Sequence, residues 1–182
     1  TAYSSGGSAR KNKSDDLPAT VHMEGGRLIY GGTTNDLDKY FMSKAPEDDG
    51  TLRYDDFGVS SPLVASDAIF GFLPTVKGKV DTIKWISSTK KFLTIGTFAT
   101  VYKVTGPTEA DPVAADDIIN VKSISDYGCY SAKPDFLGET MFFLQRNALR
   151  IRSLNYSLLQ DDYGTEGRNL ISNRILNGGA AH

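Results

Sequence analysis

The sequence predicts an all-β fold: antiparallel meanders that form part of a β-propeller, with a β-sandwich as the alternative, and one short C-terminal helix. Three observations lead there. Short runs of apolar, β-branched and aromatic residues recur along the chain, punctuated by Gly, Asn, Asp and Ser. Only 169–177 groups apolar residues at helical spacing, with Leu170, Ile171 and Ile175 on one side and Gly178-Gly179 as a stop. Finally, an apolar strand, a small or polar turn and a second strand occur three times, in 27–44, 91–106 and 140–156.

The densest strand pattern is 80–106, VDTIKWISSTKKFLTIGTFATVYKVTG, which holds the only tryptophan, Trp85. Alternation predicts strands over 80–86, 92–97 and 100–104, with the polar run 87–90 as the first break. Before this stretch, residues 1–17 are rich in Ser, Gly, Lys and Asp and read as a flexible arm. Strands are then expected over 20–23, 27–31, 40–44 and 68–73, with the acidic PEDDG stretch in a loop. After it, strands are expected over 118–124, 129–132, 140–145 and 149–154, with 133–139 and 161–167 as loops. Residues 18–182 are thus one β-meander domain.

The three repeats start at Arg27, Lys91 and Thr140, roughly 50–65 residues apart, a range that suits a propeller blade of about 40–50 residues carrying one long insertion. A twisted four-stranded blade has two apolar faces and cannot cover both alone, so blades stack. On this reading Trp85, Phe92, Ile95, Phe142 and Leu144 fill the space between blades, and Trp85 is core before it is a ligand platform. The length suits about three blades, fewer than closure needs, so the domain is expected to be a portion of a larger propeller-containing protein.

Composition narrows the function. A net charge of -2 with 23% charged residues excludes a generic polyanion binder. No apolar run reaches the roughly 18–20 residues of a membrane helix. Cys129 is the only cysteine, so it has no disulfide partner within the chain, and His22 and His182 are the only histidines. Neither a zinc pattern nor a thiol–imidazole pair is indicated. The acidic pairs Asp48-Asp49, Asp55-Asp56, Asp116-Asp117 and Asp161-Asp162 lie in expected loops and lack calcium-loop spacing. The GGTTN run at 31–35 lacks the Gly-Lys-Ser/Thr end of a phosphate loop. No catalytic residue, cofactor site or metal site is expected. Arg146, Arg150 and Arg152 flank a predicted strand pair and are candidates for a subunit interface.

The order of motifs resembles a known family. PATVHMEGGRLIYGGTTNDLDKYFMSKAPED (18–48) is similar to the strand, Arg-Leu, small-residue turn and Phe-Ser segment of tail nozzle, tail tubular or tail-stabilisation proteins of short-tailed bacteriophages. DDF (55–57), SDAI (66–69) and VDTIKWISSTKKFLTIGT (80–97) resemble the family's following segments. So do the stretch from SISDYG to RSLNYS (123–157) and its continuation from LLQDDYG to NRIL. Asn147-Ala148 departs from the family's usual glycine after Gln-Arg.

The resemblance spans roughly 18–176. It implies a virion structural protein with a propeller-containing fold, assembled in the host cytoplasm as a homo-oligomeric ring of six around the DNA channel. Adaptor proteins above, tail fibre or tip proteins below and double-stranded DNA alongside are the implied partners, with no membrane. The competing reading is a carbohydrate-binding or carbohydrate-cleaving propeller domain, for which Tyr54 beside Asp55-Asp56 and Tyr163 beside Asp161-Asp162 are the candidates. A third is an interaction scaffold outside phages.

Overall fold

A computed structural model describes residues 17–74, 81–89, 92–108, 111–138, 140–147, 150–157 and 162–167. Within these residues the chain is all-β, with no helix; the expected arm to residue 16 and the expected helix at 169–177 lie outside them. Three four-stranded antiparallel sheets follow one another. Sheet A comprises β1 (Thr20–Glu24), β2 (Arg27–Gly31), β3 (Lys39–Met42) and β4 (Ile69–Phe72). Sheet C comprises β5 (Ile83–Ser88), β6 (Leu93–Thr97), β7 (Val101–Thr105) and β8 (Asn120–Ser125). Sheet E comprises β9 (Asp135–Leu137), β10 (Thr140–Leu144), β11 (Ile151–Ser157) and β12 (Asp162–Gly167). In each, strands pair in chain order, as an up-and-down meander requires.

The three sequence repeats prove to be β2–β3, β6–β7 and β10–β11, the central hairpin of each sheet. Central strands carry the strongest apolar signal because strands flank both their edges and at least one of their faces packs on another sheet. Edge strands misled the pattern. The expected strand at 129–132 is a single bridge between Cys129 and Gln145, and β9 occupies what reads as loop. Likewise 162–167, acidic and polar, is β12, recruited by pairing with β11.

Sheet C lies between the other two and supplies residues to two separate cores. One joins Ile29, Tyr40, Met42 and Ile69 of sheet A to Ile83, Ile86, Leu93, Ile95, Tyr102 and Val104 of sheet C. The other joins Trp85 and Val101 to Met141, Phe143 and Leu154 of sheet E. Two cores around a middle sheet differ from the single shared core of a two-sheet sandwich; sheets stacked in chain order are the blade-like arrangement.

A bulge explains how β5 serves both cores. The β5–β6 register shifts between Ile83 and Trp85, so Ile83 and Ile86 both face sheet A while Trp85 faces sheet E. Unbroken alternation would have put Ile83 and Trp85 on one face. The Trp85 ring lies on Gly96, its cross-strand partner, where an added Cβ would come within 2.0 Å of the indole. Sheet A repeats the device: Tyr40 covers its partner Gly71, again leaving 2.0 Å for a Cβ. An aromatic can lie flat across a strand only where that strand has no side chain.

Candidate functional site

Three places merit a functional reading: the interior seam where β1 meets β5, the cleft above it, and the outer face of sheet A.

At the seam, Thr20 Oγ1 accepts a hydrogen bond from the Ile86 N–H at 3.2 Å, and His22 Nε2 lies 2.9 Å from Ser88 Oγ. Lys133, from the connection between sheets C and E, donates to the Val21 carbonyl at 2.6 Å. Burial pushes the His22 pKa down, the nearby Lys133 charge adds to this, and Glu24 partly opposes it. Serine, histidine and carboxylate are therefore together. However, Glu24 approaches the same nitrogen, Nε2, at 3.9 Å. A nucleophile–base–orienter relay needs the carboxylate on the opposite ring nitrogen, so this cluster ties sheets together and is not a triad.

The cleft, about 580 Å³, opens between sheets A and C, with Ile29, Met42, Leu93 and Val104 among its apolar walls. Its buried cation is Arg27, whose guanidinium donates to the carbonyls of Ser43 (2.8 Å), Asp67 (2.6 Å) and Ala65 (2.7 Å). Those bonds use Arg27 to pin the long β3–β4 connection. Asp67 itself accepts from Ser60 N–H and Oγ and from Val64 N–H, all within that connection. Asp81 plays a matching part in sheet C: buried, it accepts from the N–H groups of Thr82 and Ala99 and from Thr97 Oγ1, fixing the β6–β7 hairpin.

The outer face of sheet A is different in kind. Register places Val21, Tyr30, Phe41 and Phe70 in one row across all four strands, with Met23 beside Leu28 and Phe72 beside Lys39. Tyr30 stacks on Phe41 at 5.0 Å between centroids, Phe41 meets Phe70 edge-on at 6.0 Å, and Phe57 from the β3–β4 connection meets Tyr30 at 5.4 Å. Val21, Met23 and Phe72 remain 44%, 52% and 71% exposed. A row of rings with exposed aliphatics beside it is a contact surface in composition.

The residues singled out by sequence fall as follows. Trp85 and Ile95 are fully buried and Phe92 packs half-buried against the second core. Phe142 and Leu144 do not fill the space between sheets. The register of β10 turns Met141 and Phe143 inward, so those two pack on sheet C while Phe142 and Leu144 lie half-buried on the opposite face. A run of four apolar residues, MFFL, gives no phase by itself.

Among the arginines, Arg152 is a correction: it is buried within the chain, its guanidinium 3.7 Å from the Tyr127 ring centroid and its Nε donating to Gln145 Oε1 at 3.1 Å. It shares the inward face with Phe143, its partner across the ladder. Arg146 is exposed and lies 5.2 Å from the Phe98 ring, and Arg150 is exposed.

Several loop carboxylates serve their own turns. Asp49 accepts from Thr51 N–H, Asp56 accepts from Gly58 N–H and pairs with Lys44 at 3.3 Å, and Asp117 accepts from Ile118 N–H. Burial raises the Cys129 thiol far above its ordinary pKa, and the indole N–H of Trp85 lies beside it without the alignment of a hydrogen bond. Among the described residues no three His, Cys, Asp or Glu side chains converge on a metal position, and no helix is long and apolar enough to cross a membrane.

The sheet A face was legible in principle: Val21 and Met23 alternate with His22 and Glu24, an apolar stripe on an expected strand. What hid it was the assumption that the apolar side of a strand points into its own core.

Comparison with protein-family models and with curated proteins finds no match for this chain.

Proposed function

We propose that this chain is a propeller-forming part of a virion tail protein of a short-tailed bacteriophage. Its place is the nozzle ring that extends the DNA channel below portal and adaptor, retains packaged DNA and passes it at infection. The observation that carries the reading is the row Val21–Tyr30–Phe41–Phe70 on the outer face of sheet A, continued by exposed Met23 and Phe72. Phe41 is buried at the centre of this row, and the exposed apolar side chains around it, Val21, Met23, Phe70 and Phe72, suit a protein that works by packing against neighbours. The ordered resemblance over 18–176 and the three stacked meanders support the same conclusion, as does a net charge of -2, which favours a wall along which DNA slides over one that grips it.

In this proposal the subunits form a homo-oligomeric ring, six by analogy with the resembled family, between adaptor and tail-tip proteins. Contacts run through sheet faces and the exposed Arg146 and Arg150. Arg152 belongs to the interior. The test is to image virions assembled without the protein by electron microscopy and titre them. Particles that are empty or leak DNA, and that lack the lower tail, are expected; intact, DNA-filled, infectious particles would sink the reading.

A further inference from the structure

Three turns meet where sheets C and E adjoin. The β6–β7 turn is closed by Thr97 N–H to the Thr100 carbonyl at 2.8 Å. It is tied down by Phe98 N–H to the Thr82 carbonyl at 2.9 Å and by Ala99 N–H to Asp81 Oδ1 at 3.0 Å. Beyond β8, Cys129 N–H donates to the Thr97 carbonyl at 2.7 Å, and Arg146 N–H, from the β10–β11 turn, donates to the Gly128 carbonyl at 2.9 Å. These bonds fix the backbone of all three turns, so the side chains they present start from a preorganised frame.

What they present is an exposed ring shared by two cations. Phe98, at the tip of the β6–β7 turn, is 51% exposed. Lys84 Nζ, from the bulge of β5, lies 5.8 Å from its centroid, and the guanidinium of exposed Arg146 lies 5.2 Å from it. Both distances are those of cation–π contacts. Among the described residues neither cation pairs with a carboxylate. Asp81, beneath the turn, is buried and occupied by Thr82, Thr97 and Ala99. Two like charges gathered on one ring repel each other, and an anion from outside the chain would relieve that repulsion.

The surroundings choose among anions. Asp126 stands exposed in the turn that leads to Gly128. The β2–β3 turn, whose Leu37 carbonyl accepts from Ile83 N–H, carries Asp36 and Asp38. A nucleic acid, with a charge at about every 1.7 Å of its axis, would bring phosphates against these carboxylates. A short acidic stretch of polypeptide can put its charge on the cations alone, and an apolar side chain next to that charge finds the open part of the ring. Phe and Arg are also the residue types that protein interfaces favour. We infer that Phe98, Lys84 and Arg146 form a docking point for an acidic segment of a partner protein. Its carboxylates meet Lys84 and Arg146 while an apolar neighbour rests on Phe98. The inference rests on these turns and is independent of the tail assignment.

The experiment titrates the purified, fluorescently labelled chain against a panel of short synthetic peptides in which Asp or Glu alternates with Leu, Phe or Tyr. A matched panel carries Lys at each acidic position. Acidic peptides should bind and their Lys counterparts should not, and added salt should weaken the binding. Lys84→Gln, Arg146→Gln and Phe98→Ser lie at half-buried or exposed positions, so each should keep the circular dichroism spectrum while lowering affinity about tenfold. Arg146→Lys, which keeps the charge, should retain most of the affinity. Binding of no acidic peptide at any accessible concentration overturns the inference, as does affinity unchanged in the Lys84→Gln, Arg146→Gln double variant. So does a random-sequence oligonucleotide that displaces the peptides and binds more tightly than they do, which would assign the site to nucleic acid. None of these outcomes bears on the virion experiment above.

Discussion

Sheets A and C are built alike, four short strands in chain order with an aromatic lying on a glycine, yet sheet C is covered on both faces and the outer face of sheet A only in part. In sheet C every residue of β6 and β7 is buried. In sheet A burial alternates along β2, and Val21, Met23 and Phe72 stand half-exposed or more. The difference teaches that position in the stack, more than strand propensity, sets how much of a sheet contributes to stability. Removing an aromatic side chain should therefore cost far more in sheet C than on the outer face of sheet A.

The largest contrast is at the aromatic–glycine pairs of the middle sheet. Trp85→Ala removes a fully buried ring that meets Phe143 of sheet E, with centroids 6.4 Å apart, and should cost about 3–5 kcal/mol. Gly96→Val should be as damaging, because its Cβ would meet the indole at 2.0 Å with Trp85 enclosed on every side. Chemical denaturation of both variants checks this; a loss under about 1 kcal/mol for either would show that the C–E interface can repack.

Next comes Asp81, whose carboxylate satisfies two backbone N–H groups and Thr97 Oγ1 inside sheet C. Asp81→Ala leaves the Thr82 and Ala99 N–H groups without this acceptor, while Thr97 Oγ1 keeps the Thr100 carbonyl at 2.8 Å, and should cost about 2–3 kcal/mol. Tm should fall by several degrees, with the β6–β7 hairpin amides losing hydrogen-exchange protection first.

How much of this could be read beforehand depends on what each residue answers to. The central hairpins were legible because covered strands must be apolar whatever surrounds the sheet. The faces were not, for two physical reasons. Lys84 sits in a bulge that reverses the phase of β5, and nothing in IKWIS marks it. In MFFL no polar residue sets the phase, so Phe142 and Leu144 could be told from Met141 and Phe143 only by the register with β11. Strands β9 and β12 exist through their partners, and Arg152 finds Tyr127 by tertiary contact that spacing cannot encode. The His22–Ser88 and Arg27–Asp67 associations span 66 and 40 residues and were invisible for the same reason.

Acid should act on the interior of sheet A and on its seam with sheet C through different groups. Burial alone would raise the Asp67 pKa, but hydrogen bonds from Val64 and Ser60 and the charge of Lys44 outweigh it and hold the carboxyl below its ordinary value. A depressed carboxylate contributes stability that is complete above about pH 4 and lost as pH falls through the folded pKa. Asp67→Asn should flatten the acid limb of a Tm-against-pH curve. At the A–C seam His22 is also depressed, so its neutral form stabilises the fold above about pH 6.5 and that contribution declines as pH drops towards the folded value. His22→Gln should remove the slope that sets in as pH falls below about 6.5 and leave the carboxylate limb at lower pH intact. A parent curve that is flat across that window would remove His22 from the seam's energetics.

The smallest expected effect on the isolated fold is at Phe72, and it sharpens the comparison most. A 71% exposed phenylalanine on an edge strand covers little apolar surface within its own chain, so Phe72→Ser should change unfolding free energy by no more than about 0.5 kcal/mol. Measured under monomeric conditions, a loss as large as that of a core residue would mean that the outer face of sheet A is already covered from within the chain. Measured where copies associate, the same substitution should lower the apparent Tm and make it depend on concentration, since a partner that binds only the folded face stabilises it by mass action. A ring residue negligible in the monomer and consequential in the assembly belongs to an interface, whereas Trp85 should matter equally in both.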